Sequence, residues 1–144
     1  MTVRDDGPKL FAHADGDGCV DYEIIDELLA LGNTWLLGDL ISTYRLEVTS
    51  LFRELERALD ANDIAAVAKT SHSLSGCSAS IGATSLSAAA ASIEQLAKTG
   101  SLEGYEPLMN EVLARWRCTL RVLGAELLPR FVPGRRQASH AQRN

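Results

Sequence analysis

The 144-residue sequence predicts an all-α fold: an antiparallel up-down-up-down four-helix bundle with a short additional N-terminal helix. Three observations predict it. Proline occurs four times and never between Lys9 and Glu106, so long helices meet no breaker there. Aromatic residues make up only 6% of the chain while alanine and leucine abound, a balance that favours helix over sheet. Apolar residues recur at three- and four-residue steps through several long stretches, and no stretch shows the alternation of a strand.

Taken in order, residues 1–19 are rich in Gly and Asp without periodicity and read as a flexible leader. A short helix follows over 21–31, with Ile24, Ile25, Leu28 and Leu29 inward and Gly32-Asn33 as its stop. The next helix, 35–60, carries Leu37, Leu40, Ile41, Tyr44, Val48, Leu51, Phe52, Leu55 and Leu59 on one side and charged residues on the other. Asn62 or Asp63 caps a third helix that ends near Ile81-Gly82. Its inward stripe is Ile64, Val67, Ser71, Leu74, Ser78 and Ile81. A fourth covers 83–98, with Leu86, Ala89, Ala90, Ile93 and either Leu96 or Ala97 inward, closed by Gly100. A fifth covers 102–127 with Pro107 in its first turn, where a missing N–H is tolerated. The bundle thus occupies 20–128, and 129–144 reads as a disordered tail.

Composition excludes several functions. Hydrophobic residues at 46% and charged residues at 23% are ordinary for a soluble globular domain. A formal net charge of −5 argues against nucleic-acid binding, which needs a basic surface. No apolar run is long enough to span a bilayer, and the first residues lack a signal-peptide core. Cys19, Cys77 and Cys118 show neither close pairing nor metal-ligand spacing, so three reduced thiols in a cytoplasmic compartment are expected and no metal site. Asp15-Gly16-Asp17-Gly18 departs from a calcium loop at its fifth and later positions.

One segment stands apart. Around His72 the chain reads TSHSLSGCSASIGATSL, where nearly every neighbour is small. At about 100° per residue, Ala65, His72, Gly76 and Ala79 share a narrow strip of helix surface with Lys69 beside them, well away from the inward stripe. An exposed, approachable imidazole is therefore expected. Glycine inside a helix costs about 1 kcal/mol against alanine, so Gly76 calls for a reason such as close approach by a partner.

The order His72-Ser73-Leu74-Ser75-Gly76, then Ile81-Gly82-Ala83, Leu86 and Ile93-Glu94, resembles the histidine-containing phosphotransfer (HPt) domains of phosphorelays. The upstream VDYEIIDELLALG and ANDIAAVAKTSHSL are also similar, and the resemblance extends from residue 20 to 123. It implies a phosphocarrier rather than an enzyme. His72 would accept a phosphoryl group from the aspartate of one receiver domain and pass it to another. Glu94, or Gln95 if the register differs by one, would orient the second ring nitrogen. The family usually has lysine where Ser75 stands; Lys69, one turn before His72, is expected to supply the charge, with Ser75 and Gly76 supporting. Ala65 and Ala79 would keep the docking surface low. By the same resemblance the chain needs no cofactor of its own, the partner receiver brings Mg²⁺, and the isolated domain is a monomer. It is expected to be cytoplasmic, as the C-terminal module of a hybrid sensor histidine kinase that is itself membrane-bound or not. Two other readings compete: a degenerate bundle that docks a receiver without being phosphorylated, and a helical oligomerisation domain.

Overall fold

Helix boundaries in this chain are set by caps and glycines as much as by apolar periodicity. In the computed structural model, which describes residues 18–32 and 34–127, five helices follow one another: α1 Tyr22–Leu31, α2 Thr34–Asp60, α3 Ile64–Ser80, α4 Thr84–Lys98 and α5 Tyr105–Leu120. No strand occurs among the described residues. The expected leader and tail lie almost wholly outside them; only Gly18 and Cys19 of the leader are described.

The Asp21 side chain starts α1 by accepting from the Glu23 N–H at 3.0 Å, and Gly32 stops it. The 27 residues of α2 bury Leu37, Ile41, Tyr44, Val48, Phe52, Leu55 and Leu59 of the predicted stripe; Leu51 is half-buried at its edge, and Leu40, expected inward, is exposed at 40%. Asp63 caps α3 through the Ala66 N–H at 3.1 Å. α3 then buries Val67, Leu74 and two serines, Ser71 and Ser78, as its pattern indicated. Neither serine is orphaned, which is what makes their burial affordable. Ser71 donates to the Val67 carbonyl at 2.7 Å, and Ser78 shares a 2.7 Å hydrogen bond with the Tyr44 hydroxyl.

The turn into α4 depends on Gly82, which sits at φ +90°. A Cβ there would lie 3.1 Å from the Asp21 carbonyl oxygen, because the N-terminal segment crosses the turn and the Asp21 N–H donates to the Gly82 carbonyl at 2.7 Å. Only glycine combines that backbone angle with that approach. α4 buries Leu86, Ala89, Ala90, Ile93 and Ala97. Its alanines let it lie close against α3, and among the described residues this is the most extensive helix pair.

α5 begins at Tyr105 and not at residue 102 as expected. Ser101 to Gly104 form a turn instead: the Glu103 N–H bonds the Ser101 hydroxyl at 3.1 Å, and Gly104 takes φ +86°, which an α-helix excludes. From Arg121 to Leu127 the chain continues as a π-helix. Trp116 of α5 meets α2 through its ring, 6.0 Å from Tyr44 edge-on and 5.8 Å from Phe52. With α3 between α2 and α4, and α4 against α5, the circuit of four antiparallel helices closes.

The expectation of three reduced thiols fails for two of them. Cys19 and Cys118 form a disulfide, their Cα atoms 6.1 Å apart although 99 positions separate them in sequence. Spacing along the chain carries no sign of this pair; folding brings them together. Cys19 is wholly buried, so the last residue of the predicted leader belongs to the core. Cys77 is the free cysteine, half-buried, its thiol pushed up to about 11 by burial first and then by the charge of Glu47.

Candidate functional site

The outward face of α3 carries Ala65, Lys69, His72, Ser73, Gly76 and Ala79, all exposed. Apart from Lys69 its neighbours on this strip are small, and the His72 side chain is 74% exposed. Opposite it on α3 lies the buried stripe through Ser71, Leu74 and Ser78. The imidazole is therefore offered to solvent, as its position on the helix predicts.

The antiparallel register of α3 and α4 decides what His72 meets. The hydroxyls of Ser75 and Ser87 lie 3.1 Å apart, and Ser87 donates to the Ser75 carbonyl at 2.9 Å. One turn back on α3 and two turns on along α4, His72 Nδ1 lies 3.0 Å from Glu94 Oε2. Glu94, and not Gln95, thus holds the ring; Gln95 is exposed elsewhere on α4. The Glu94 side chain is only 12% exposed, and the same Oε2 receives Lys98 Nζ at 3.2 Å.

The electrostatics follow from that triangle. Burial pushes the Glu94 carboxyl up, but the hydrogen bond and charge of Lys98, together with the interaction with His72, outweigh it, holding the group below its ordinary value. An ionised carboxylate only accepts hydrogen bonds. Nδ1 must therefore carry hydrogen and donate, which leaves the lone pair of a neutral ring on Nε2, the nitrogen across the ring from Glu94.

The other residues singled out in the sequence differ in how they lie relative to His72. A Cβ added to Gly76 would meet nothing within 4 Å, so no contact inside the molecule requires glycine there. Ser75 is half-buried with its hydroxyl engaged by Ser87, which ties α3 to α4. Lys69 and Ser75 lie about 60° to either side of His72 on the helix. Lys69 opens onto the depression between α2 and α3 that Arg57 and Asp63 also line, away from the α4 flank where Glu94 stands. Lys98 was not singled out from the sequence, although its place four residues after Glu94 is a signal for an ion pair.

Past Gly76 an apolar groove is lined by Leu28, Leu40, Tyr44, Cys77 and Ile81. At the adjoining corner of α1 and α2, Leu31, Trp35 and Leu36 are exposed. Among the described residues there is no cluster of three or more metal-ligating side chains, and no helix long and apolar enough to cross a membrane.

A bundle of this topology with an exposed histidine at mid-helix invites comparison with known proteins. The family model of the Hpt domain matches residues 39–126, and the chain belongs to that family. Its role is therefore phosphotransfer in two-component signalling, as a phosphocarrier domain. The crystal structure of histidine-containing phosphotransfer protein B (HptB) from Pseudomonas aeruginosa PAO1 matches with a TM-score of 0.74, covering 81% of this chain and 99% of that one. At 24% identity that likeness is one of fold. Among curated proteins none matches.

Proposed function

We propose that His72 is the phosphoacceptor of a phosphorelay intermediate, taking a phosphoryl group from the aspartate of one receiver domain and passing it to another. One observation carries the reading: an imidazole 74% exposed on a strip of small residues, yet held at Nδ1 by a largely buried carboxylate. In the transfer, the P–O bond of the receiver's aspartyl phosphate breaks and a bond from phosphorus to Nε2 forms. The receiver's carboxylate is regenerated, and the Nδ1 proton remains in its hydrogen bond to Glu94. The ring gains positive character as the new bond forms, which Glu94 balances. Such transition states are loose, so positioning and charge do most of the work.

Docking is supported by the same face. Ala65, Gly76 and Ala79 keep it low around His72, and the groove beyond Gly76 exposes apolar surface where a receiver could seat. The receiver supplies Mg²⁺; the domain acts as a monomer, in the cytoplasm, within or beside a sensor kinase. Lys69 offers positive charge to the incoming group from the α2 flank, and Ser75 supports the helix pairing beneath the ring.

Incubation with a phosphorylated receiver tests the proposal. An acid-labile, base-stable label is expected on the wild-type protein and none on His72→Gln. Unlabelled wild-type protein with undiminished signalling in His72→Gln would instead favour a docking module that is never phosphorylated.

A further inference from the structure

Glu94 presents a difficulty that Lys98 resolves. A carboxylate beside the nucleophile orients it, but it also places a negative charge next to the position where a dianionic phosphoryl group must arrive. In this molecule the carboxylate is not left bare. Its Oε2 is shared between His72 Nδ1 at 3.0 Å and Lys98 Nζ at 3.2 Å. Glu94 and Lys98 stand four residues apart on α4, in the more favourable order with the acid first. Lys98 is 57% exposed, so its ammonium lies at the same open rim as the imidazole. No other salt bridge among the described residues includes Glu94 or His72.

We infer that Lys98 is a positioning residue for phosphotransfer: it pins and offsets the Glu94 carboxylate, so that the incoming anion meets a site of no net charge. The inference rests on His72 being the phosphoacceptor. Its competitor is structural: Lys98 closes α4, where any cation complements the helix dipole. The two differ in what they predict for charge at this position. A dipole or packing role acts on stability, whereas an offset to Glu94 acts on the rate and is screened by salt.

The test uses phosphoramidate as donor, so that no cognate receiver is needed. Its P–N bond breaks, ammonia departs and phosphorus bonds to His72 Nε2, while the Nδ1 proton stays toward Glu94. Labelling rates are compared for the full-length wild type, Lys98→Arg, Lys98→Met and Lys98→Glu, with thermal unfolding of each. Lys98→Arg is expected to match wild type, and Lys98→Met to label about two- to fivefold more slowly, the scale of an exposed charge pair. Lys98→Glu should be slower still, with all gaps narrowing as salt rises. Equal rates across the series would overturn the inference, as would an equal loss in Lys98→Arg. Wild-type protein that takes no label lost in His72→Gln would overturn the phosphoacceptor reading itself, which is a separate result.

Discussion

Gly76 occupies the interior of a 17-residue helix with open space where a Cβ would stand. Nothing within the molecule offsets its poor helix propensity. Gly76→Ala should therefore raise stability by about 1 kcal/mol, measured by urea unfolding. If a receiver backs onto this strip, the same change should slow transfer from a phosphorylated receiver while leaving phosphoramidate labelling at its wild-type rate. A destabilised Gly76→Ala would show that the glycine serves the fold. Helical geometry made much of this legible from the sequence: exposure of His72, Gly76, Ala65 and Ala79 depends only on angles within one helix. What Ser75 and Lys98 touch depends on the register between two helices, set by packing across the interface. Hence the partner of Ser75, expected only as a supporting residue beside His72, becomes visible as Ser87 on α4.

At the scale of elements, the pairing of α2 with α3 hinges on a polar contact inside an apolar seam. Tyr44 and Ser78 are both buried and satisfy each other. Tyr44→Phe removes one partner and strands the other, at a cost of about 1–3 kcal/mol in urea unfolding. Burial, partly offset by the Ser78 hydrogen bond, raises the Tyr44 phenol far above its ordinary value. The unfolded chain ionises that phenol near its ordinary value of about 10 while the folded chain keeps it protonated. Wild-type stability should accordingly be intact below that pH and fall above it, and Tyr44→Phe should lose less over the same alkaline range. Parallel losses in the two proteins would refute the assignment. The alternation of buried and exposed positions that revealed α2 and α3 was readable because it repeats over many turns. The start of α5 was not, since Leu102 is buried in a turn, and an apolar residue there continues the helical pattern into a segment that Gly104 excludes from the helix.

For the molecule as a whole, the Cys19–Cys118 bridge joins the segment before α1 to the last turn of α5. No local pattern encodes such a contact, because it requires five helices to have found their places. Closing a loop of that size restricts the unfolded chain, and its loss is expected to cost about 2–5 kcal/mol. Reduction should lower the thermal midpoint by on the order of 10 °C, and the Cys19→Ser, Cys118→Ser double variant should unfold at that lower temperature with or without reductant. An unchanged midpoint on reduction would show that the bridge adds nothing to stability.

The same bridge gives the oxidised protein an unusual response to mechanical load. A pull on the two ends of the chain runs through the sulfur atoms and bypasses the residues between them, which include α1 to α4, most of α5 and the histidine. Only the segments outside the ring lengthen under tension. Break the bond, and every helix comes into series with the force, so the carrier surface yields with the rest.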